Sequence, residues 1–360
     1  MRIGVDARHL PEGRGVARYL QHALAALAAR FPGDELVAFV PGRAPVAVPP
    51  GVELRRSALP GRAVFGLGAA TGRPALERLC GGRLDVLWLP APAPVGLDGS
   101  APLVLTVHDL SFVQRPGDFT AYERLWHRAG RLRRLAHRAA RVIAVSGATR
   151  DALVAHWDLD PARIDVVHEG AGTPVVGSSS DSERETTTAP YLLCVGALEP
   201  RKAPELLAGA FARARARGLE AELVFAGRGR LAARLEGRPG VRVLGAVEGP
   251  ALDAVYRGAL AVVAPAWLEG FGLTPLEALA RGVAPVVADL PVYDETLGDG
   301  AVRFPPGDAG ALADALLRVA RDDALRTRVV AAGRRAIAPL TWEACADGIR
   351  ASLERAVAAR

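Results

Sequence analysis

The chain has 360 residues, half of them hydrophobic and 23% charged, which is too long for one compact core and suits two domains of roughly 150–180 residues each. That composition excludes a disordered chain, and the net charge of +6 favours anionic partners weakly, without implying nucleic acid. No uncharged apolar run approaches the roughly 18 residues of a membrane span, and Asp6 interrupts the N-terminus too early for a signal segment, so a cytoplasmic chain is expected.

Short apolar runs alternate with helix-period segments. Ile3–Val5 predicts a strand, and Val16, Leu20, Leu24, Leu27 and Phe31 predict an amphipathic helix from about Gly15. The runs 36–40, 52–54, 86–89, 103–107, 142–145 and 164–167 predict further strands, continuous rather than alternating, as in parallel sheets buried on both faces. The polar stretch Gly177–Thr188 breaks the rhythm and predicts an interdomain linker. A second series then begins, with strands at 191–195, 222–225, 241–244, 260–263, 285–287 and 302–304, and a helix over 310–320. Trp342, Cys345, Ile349, Leu353 and Ala356 predict a terminal amphipathic helix. The expected architecture is α/β, with two doubly wound domains: residues 1–172, a linker over 173–189, and residues 190–340, the segment 341–360 returning to the first domain.

Cys80, Cys194 and Cys345 lie far apart with no C-x-x-C spacing, which argues for small core residues rather than a zinc site or disulfide framework. Asn is absent, and Lys202 is the single lysine among 45 basic residues. A GC-biased genome accounts for the arginines. The surviving lysine reads either as a remnant at a solvated turn or as a position where a compact ammonium cannot be exchanged for a planar fork. It stands in Val195-Gly196-Ala-Leu-Glu-Pro-Arg201-Lys202, directly after a strand, where two cations suit a diphosphate.

The strongest constellation is Glu269-Gly270-Phe271-Gly272-Leu273-Thr274-Pro275-Leu276-Glu277. A strand ends at Pro265, and a glycine-bearing loop runs into a helix for which Thr274 is the expected N-cap, Pro275 the N1 residue and Glu277 the N3 residue. Such a loop offers backbone N–H groups to a phosphate or a sugar hydroxyl. Glu277 has a structural use in closing the capping box, whereas Glu269 has none.

From Tyr122 to Arg141 the chain reads as one basic amphipathic helix, with Tyr122, Leu125, Ala129, Leu132 and Ala136 on one face and seven arginines against one acid elsewhere. Two readings stand. One is an ordinary helix with a solvated Arg-rich face; the other is peripheral contact with an anionic membrane or a phosphate-bearing lipid acceptor.

Taken together, D-A-R near the start, the Gly-rich turn, L-T-V-H-D, V-I-A-V-S, G-A-L-E-P-R-K, the two glutamates separated by seven residues and the closing T-W-E resemble family 4 retaining glycosyltransferases over nearly the whole chain. The resemblance implies the GT-B fold, two Rossmann-like domains facing across a cleft, the first for the acceptor and the second for a nucleotide-sugar donor. It implies no cofactor and no metal. Arg201 and Lys202 would bind the donor diphosphate, Glu277 the ribose, and Glu269 with Gly270, Phe271, Gly272 and Leu273 the donor sugar or phosphate. Gly196 belongs to the same donor site, His108 matches a histidine lining donor sugar and acceptor, and Gly15 matches a turn closing on the diphosphate. Val16-Ala17, Ala197, Ala203-Pro204 and His168-Glu169-Gly170-Ala171 depart from the usual pattern. The function implied is retaining transfer of a hexose, mannose-like by overall likeness, to a lipid-linked, polysaccharide or secondary-metabolite acceptor.

Three rivals remain. A sugar-nucleotide epimerase would share the fold and need no acceptor. An NAD(P)-dependent oxidoreductase is suggested by Gly13-Arg14-Gly15, but Arg18 occupies the third glycine position. A non-catalytic binding domain would have no use for both Lys202 and Glu269.

Overall fold

The computed structural model describes residues 1–12, 15–171 and 189–360. The chain forms two compact units, one of Met1–Gly170 with Leu340–Arg360 and the other of Ala171–Pro339. The linker expected over 173–189 lies outside the described residues except for its last position, as do Gly13 and Arg14 of the early glycine turn.

In the first unit β1 (Arg2–Asp6), β2 (Glu35–Pro41), β3 (Val52–Ser57), β4 (Val86–Leu89), β5 (Leu103–Val107), β6 (Arg141–Ala144) and β7 (Ile164–Val166) form one parallel sheet in the order β3-β2-β1-β4-β5-β6-β7. In the second, β8 (Tyr191–Val195), β9 (Glu222–Ala226), β10 (Val241–Gly245), β11 (Ala261–Ala264), β12 (Ala284–Ala288) and β13 (Val302–Phe304) are ordered β10-β9-β8-β11-β12-β13. The strand order reverses direction between β1 and β4 and again between β8 and β11. At such a switch point the flanking connections leave on opposite faces of the sheet, opening a crevice beyond the strands' carboxyl ends.

The central strands are buried on both faces because helices cover both. Ile3, Val5, Trp88 and Ile143 pack against Leu20, Leu24 and Leu27 of the helix Gly15–Arg30, and against Trp342, Ile349 and Leu353 of the helix Trp342–Ala358. On the second sheet Leu192, Phe225 and Val263 meet Leu207, Phe211 and Leu316, while Leu193, Val224 and Val262 face Tyr256 and Ala278. Each fully buried Val, Leu, Ile or Phe among them contributes about 1.5–3 kcal/mol. The expectation of two buried faces fails at the edge strands: β3 alternates half-buried with exposed positions and β10 is half-buried throughout, because the core is built over the inner strands. The three cysteines are buried and free, and burial pushes the thiols of Cys80 and Cys194 up to about 12, which keeps them protonated and inert.

The single helix expected from Tyr122 to Arg141 is instead two, Ala121–Ala129 and Leu132–Arg138. Gly130 lies so close to Pro94 that a Cβ there would come within 3.2 Å of its ring, and Arg131 takes left-handed backbone angles (φ 45°, ψ 42°), which ends the first helix and redirects the chain. The break splits the apolar stripe: Leu132 and Ala136 are buried, while Tyr122 and Leu125 are 58% and 65% exposed. Among the described residues no helix is long and apolar enough to cross a membrane.

Candidate active site

At the switch point of the second sheet, β8 ends at Val195 and two loops are laid against each other. The Gly196 N–H bonds the Ala226 carbonyl at 3.0 Å, the Leu198 N–H the Arg228 carbonyl at 3.0 Å, and the Leu231 N–H the Leu198 carbonyl at 3.1 Å. Only glycine fits opposite, since a Cβ on Gly227 would fall 1.8 Å from the Gly196 oxygen. Glu199 is committed to this scaffold: it accepts from the Arg230 N–H at 3.1 Å and pairs with the Arg230 side chain at 2.9 Å.

Pro200–Lys202 then forms one 3-10 turn, and Ala203 follows with left-handed angles (φ 51°, ψ 41°) before Pro204 opens the helix Pro204–Ala216 at its N1 position. A non-glycine residue held there costs about 1–2 kcal/mol, and its left-handed angles make the link between the turn that carries Arg201 and Lys202 and the helix that follows. The Trp267 N–H, in the loop after β11, bonds the Arg201 carbonyl at 3.1 Å, joining this turn to the loop that carries Glu269. Lys202 Nζ donates to Glu269 Oε1 at 2.6 Å, the two side chains being 27% and 14% exposed. An ammonium has three donors, so the bond to Glu269 leaves donors for a ligand oxygen.

The helix after Glu269 begins earlier than its sequence implies. It spans Leu273–Ala280, capped by Gly272 in left-handed angles (φ 86°, ψ 49°) with no side-chain cap, so Thr274 is not the N-cap and Glu277 is not at N3. The reason is the glycine itself: it turns the chain hard against Tyr293, whose ring would lie 2.5 Å from an added Cβ, and the helix propagates from that point. Glu277, 2% exposed, therefore does not stand at N3, and it accepts from the Tyr256 hydroxyl at 2.7 Å. Gly270 and Phe271 are buried and Leu273 is half-buried. Tyr293 is fully buried, its hydroxyl has no hydrogen-bond partner among the described residues, and burial together with the nearby charge of Glu269 holds its pKa well above the ordinary value.

In the first unit His108 follows β5. Its Nδ1 lies 2.8 Å from Glu169 Oε1 and its Nε2 2.8 Å from the Pro90 carbonyl, at the end of β4. Both partners are acceptors, so the arrangement is satisfied by the doubly protonated ring. Burial opposes that charge, but the bond to Glu169, its negative charge, the Pro90 carbonyl and Asp109 outweigh it, and the pKa stands above the ordinary value. Gly15 is exposed at the start of its helix, where an added Cβ would meet nothing within 4 Å. Asp6 and Arg8 of the D-A-R segment form an ion pair, the Arg8 Nε–H shared between the two carboxylate oxygens at 2.9 and 2.7 Å.

The fold thus brings Lys202 and Glu269 into contact and sets Arg201 beside them, while Glu277 turns to Tyr256 and His108 to Glu169. Glu169, Tyr256, Trp267 and Tyr293 escaped the sequence reading. For Glu169 there was a signal: it lies in the segment His168–Ala171 that departs from the usual pattern, 61 residues from a histidine at a strand tip.

Comparison with known proteins fits this geometry. Residues 13–173 match the model "Glycosyltransferase Family 4" and residues 175–336 the model "Glycosyl transferases group 1". The chain is 30% identical over 303 residues to a phosphatidyl-myo-inositol mannosyltransferase of Mycobacterium tuberculosis, covering 78% of this chain and 76% of that protein. It is 30% identical over 292 residues to a D-inositol 3-phosphate glycosyltransferase of Salinispora arenicola, covering 72% and 64%. Among solved structures, sucrose-phosphate synthase from Thermosynechococcus elongatus superposes over 100% of both chains with a TM-score of 0.76 at 18% identity, a likeness of fold. With two parallel-sheet α/β units of this topology and both halves of the family matched in order, the chain belongs to the family 4 glycosyltransferases of GT-B fold.

Proposed function

We propose that the protein is a retaining hexosyltransferase that takes its sugar from a nucleoside-diphosphate donor, with mannose as the transferred hexose, and delivers it to a lipid-linked, polysaccharide or secondary-metabolite acceptor. The observation that carries the reading is the Lys202–Glu269 pair at 2.6 Å beyond the β8/β11 switch point, with Arg201 on the same turn. The mannosyltransferase of Mycobacterium tuberculosis supports the choice of sugar.

The chemistry follows from charge. Cleaving the bond between an anomeric carbon and a diphosphate puts negative charge on the leaving oxygen and positive charge on the sugar ring, so cations at the phosphate stabilise the transition state more than the ground state. Lys202 and Arg201 supply that charge without a metal, and Glu269 holds the ammonium in place and faces the donor sugar. Glu277 takes a ribose hydroxyl. The acceptor attacks from the face the diphosphate leaves, and the departing phosphate oxygen takes its proton, which retains the anomeric configuration. His108 lines the acceptor side. Peripheral contact of the helix Ala121–Ala129 with an anionic membrane belongs to the same reading, supported by exposed Tyr122 and Leu125 among arginines.

The test is a thermal-shift screen against GDP-, UDP- and dTDP-sugars, free nucleotides and NAD(P), in EDTA, followed by product analysis. A donor that binds the folded protein raises the melting temperature by mass action. A shift with GDP-mannose and a glycoside of retained configuration are the expected results. A shift with NAD(P) alone would overturn the reading, and an isomerised sugar nucleotide would select the epimerase.

A further inference from the structure

A cavity of about 620 Å³ opens in the first unit against the helices Ala121–Ala129 and Leu132–Arg138, within the size range of small-molecule sites. Its apolar lining includes Phe112, Leu132 and Trp157. Arg124, Arg128, Arg131, Arg133 and Arg134 also border it. Arg133 donates to the Trp157 carbonyl at 3.1 Å and Arg124 to that of Phe119, but among the described residues none of the five is paired with a carboxylate. Elsewhere the arginines of this chain pair freely with acids, as Arg141 does with Asp165 and Arg350 with Asp34.

Two further observations mark the place. Arg131 holds the left-handed backbone that breaks the helix, a strained conformation retained at the border of the cavity. His127 lines it too, its ring 4.5 Å from that of Phe112, with Nδ1 buried and without a hydrogen-bond partner among the described residues. Just outside, Tyr122 and Leu125 are exposed, and the guanidinium of Arg62 lies 6.0 Å from the Tyr122 ring centre.

Guanidiniums gathered with no carboxylate paired to them repel one another even with Glu123 and Asp109 within electrostatic reach of His127, and an anion relieves that repulsion while their forks match phosphate oxygens. A bare anion leaves the apolar floor wet; a neutral lipid leaves the arginines unanswered. We propose that this pocket binds the phosphate head and first methylenes of an anionic amphiphile, and that it is where the first unit holds a lipid-type acceptor. Only the word acceptor rests on the transferase reading; the binding does not.

The experiment titrates the full chain, below the micelle concentration, with decyl phosphate, decyl maltoside and inorganic phosphate, following heat and tryptophan emission. Decyl phosphate should bind at least about tenfold tighter than either control, since only it answers both halves of the site. Its emission change should vanish in Trp157→Phe and persist in Trp342→Phe. The double change Arg128→Glu/Arg131→Glu, at exposed positions, should weaken decyl phosphate by about tenfold or more while leaving the melting temperature and the nucleotide-sugar shift unchanged. Lys202→Ala should do the reverse. Equal binding of decyl maltoside or of inorganic phosphate, or indifference to the arginine changes, would overturn the proposal. Retained decyl phosphate binding with no response to any nucleotide sugar would overturn the transferase reading and leave the pocket standing.

Discussion

The two units place a cation beyond a strand's carboxyl end in the same topology, and they treat it oppositely. His108 has both ring nitrogens occupied, by Glu169 and by the Pro90 carbonyl. Lys202 spends one donor on Glu269 and stands 27% exposed. A ring with two nitrogens and two acceptors is saturated; an ammonium with one acceptor is oriented but still available. The comparison teaches that an ion pair at a strand tip is read by counting donors against acceptors, since the distance alone, 2.8 Å in one pair and 2.6 Å in the other, does not separate them.

The sharpest way to break the comparison is to remove the available cation. Lys202→Ala should lower kcat by about 10²–10³-fold, the cost of losing one preorganised charge at a developing anion. Lys202→Arg should recover little of it, because a planar fork does not replace a point charge held by a carboxylate and set against the proposed diphosphate. Melting temperature should move little in either, since the lysine is part-exposed. Kinetics equal to the parent would remove Lys202 from the mechanism.

The saturated pair should respond in stability instead. Glu169→Gln takes the negative charge from beside a half-buried imidazolium and should cost about 1–3 kcal/mol at mildly acidic pH, where the ring is charged. The sign follows from the raised pKa of His108. The pair's contribution is complete below the unfolded-state pKa of histidine, near 6.5, and is lost as pH rises through the higher folded-state value. The parent's melting temperature should therefore fall over that interval, and the fall should disappear in Glu169→Gln. A parallel decline in both proteins would place the titration elsewhere.

The smallest effect tests how the available cation is aimed. Ala203→Gly relieves the left-handed strain after Lys202 and should stabilise the protein by about 0.5–1 kcal/mol, while loosening the turn and raising the KM for donor. A gain in stability with unchanged KM would mean that the strain does not set the direction of the lysine.

How much of this was legible beforehand depended on the range of the interaction. The strand runs were visible because a strand covered on both faces must be apolar along its length, as 103–107 and 261–264 are. The glycines of 270–272 and the unique Lys202 were visible for the same local reason. What failed was decided by tertiary neighbours. Thr274 and Glu277 spell a capping box, yet Gly272 packed against Tyr293 starts the helix first. The periodicity of 122–141 spells one helix, yet the approach of Gly130 to Pro94 breaks it. The partner of His108 lies 61 residues away, and no local pattern carries that information.

The first unit is not contiguous in the chain: the helix Trp342–Ala358 completes it after all of the second unit has intervened. During synthesis β1, β4 and β6 must therefore wait with Ile3, Val5, Trp88 and Ile143 short of one covering layer until the last turns are made, whereas the second unit is complete in a single stretch. The order of maturation is then the reverse of the order of translation, the later half closing first and the earlier half last. A chain cut short at residue 340 would carry a complete second unit attached to a first unit with an open apolar face, a species suited to chaperone capture and prone to aggregation.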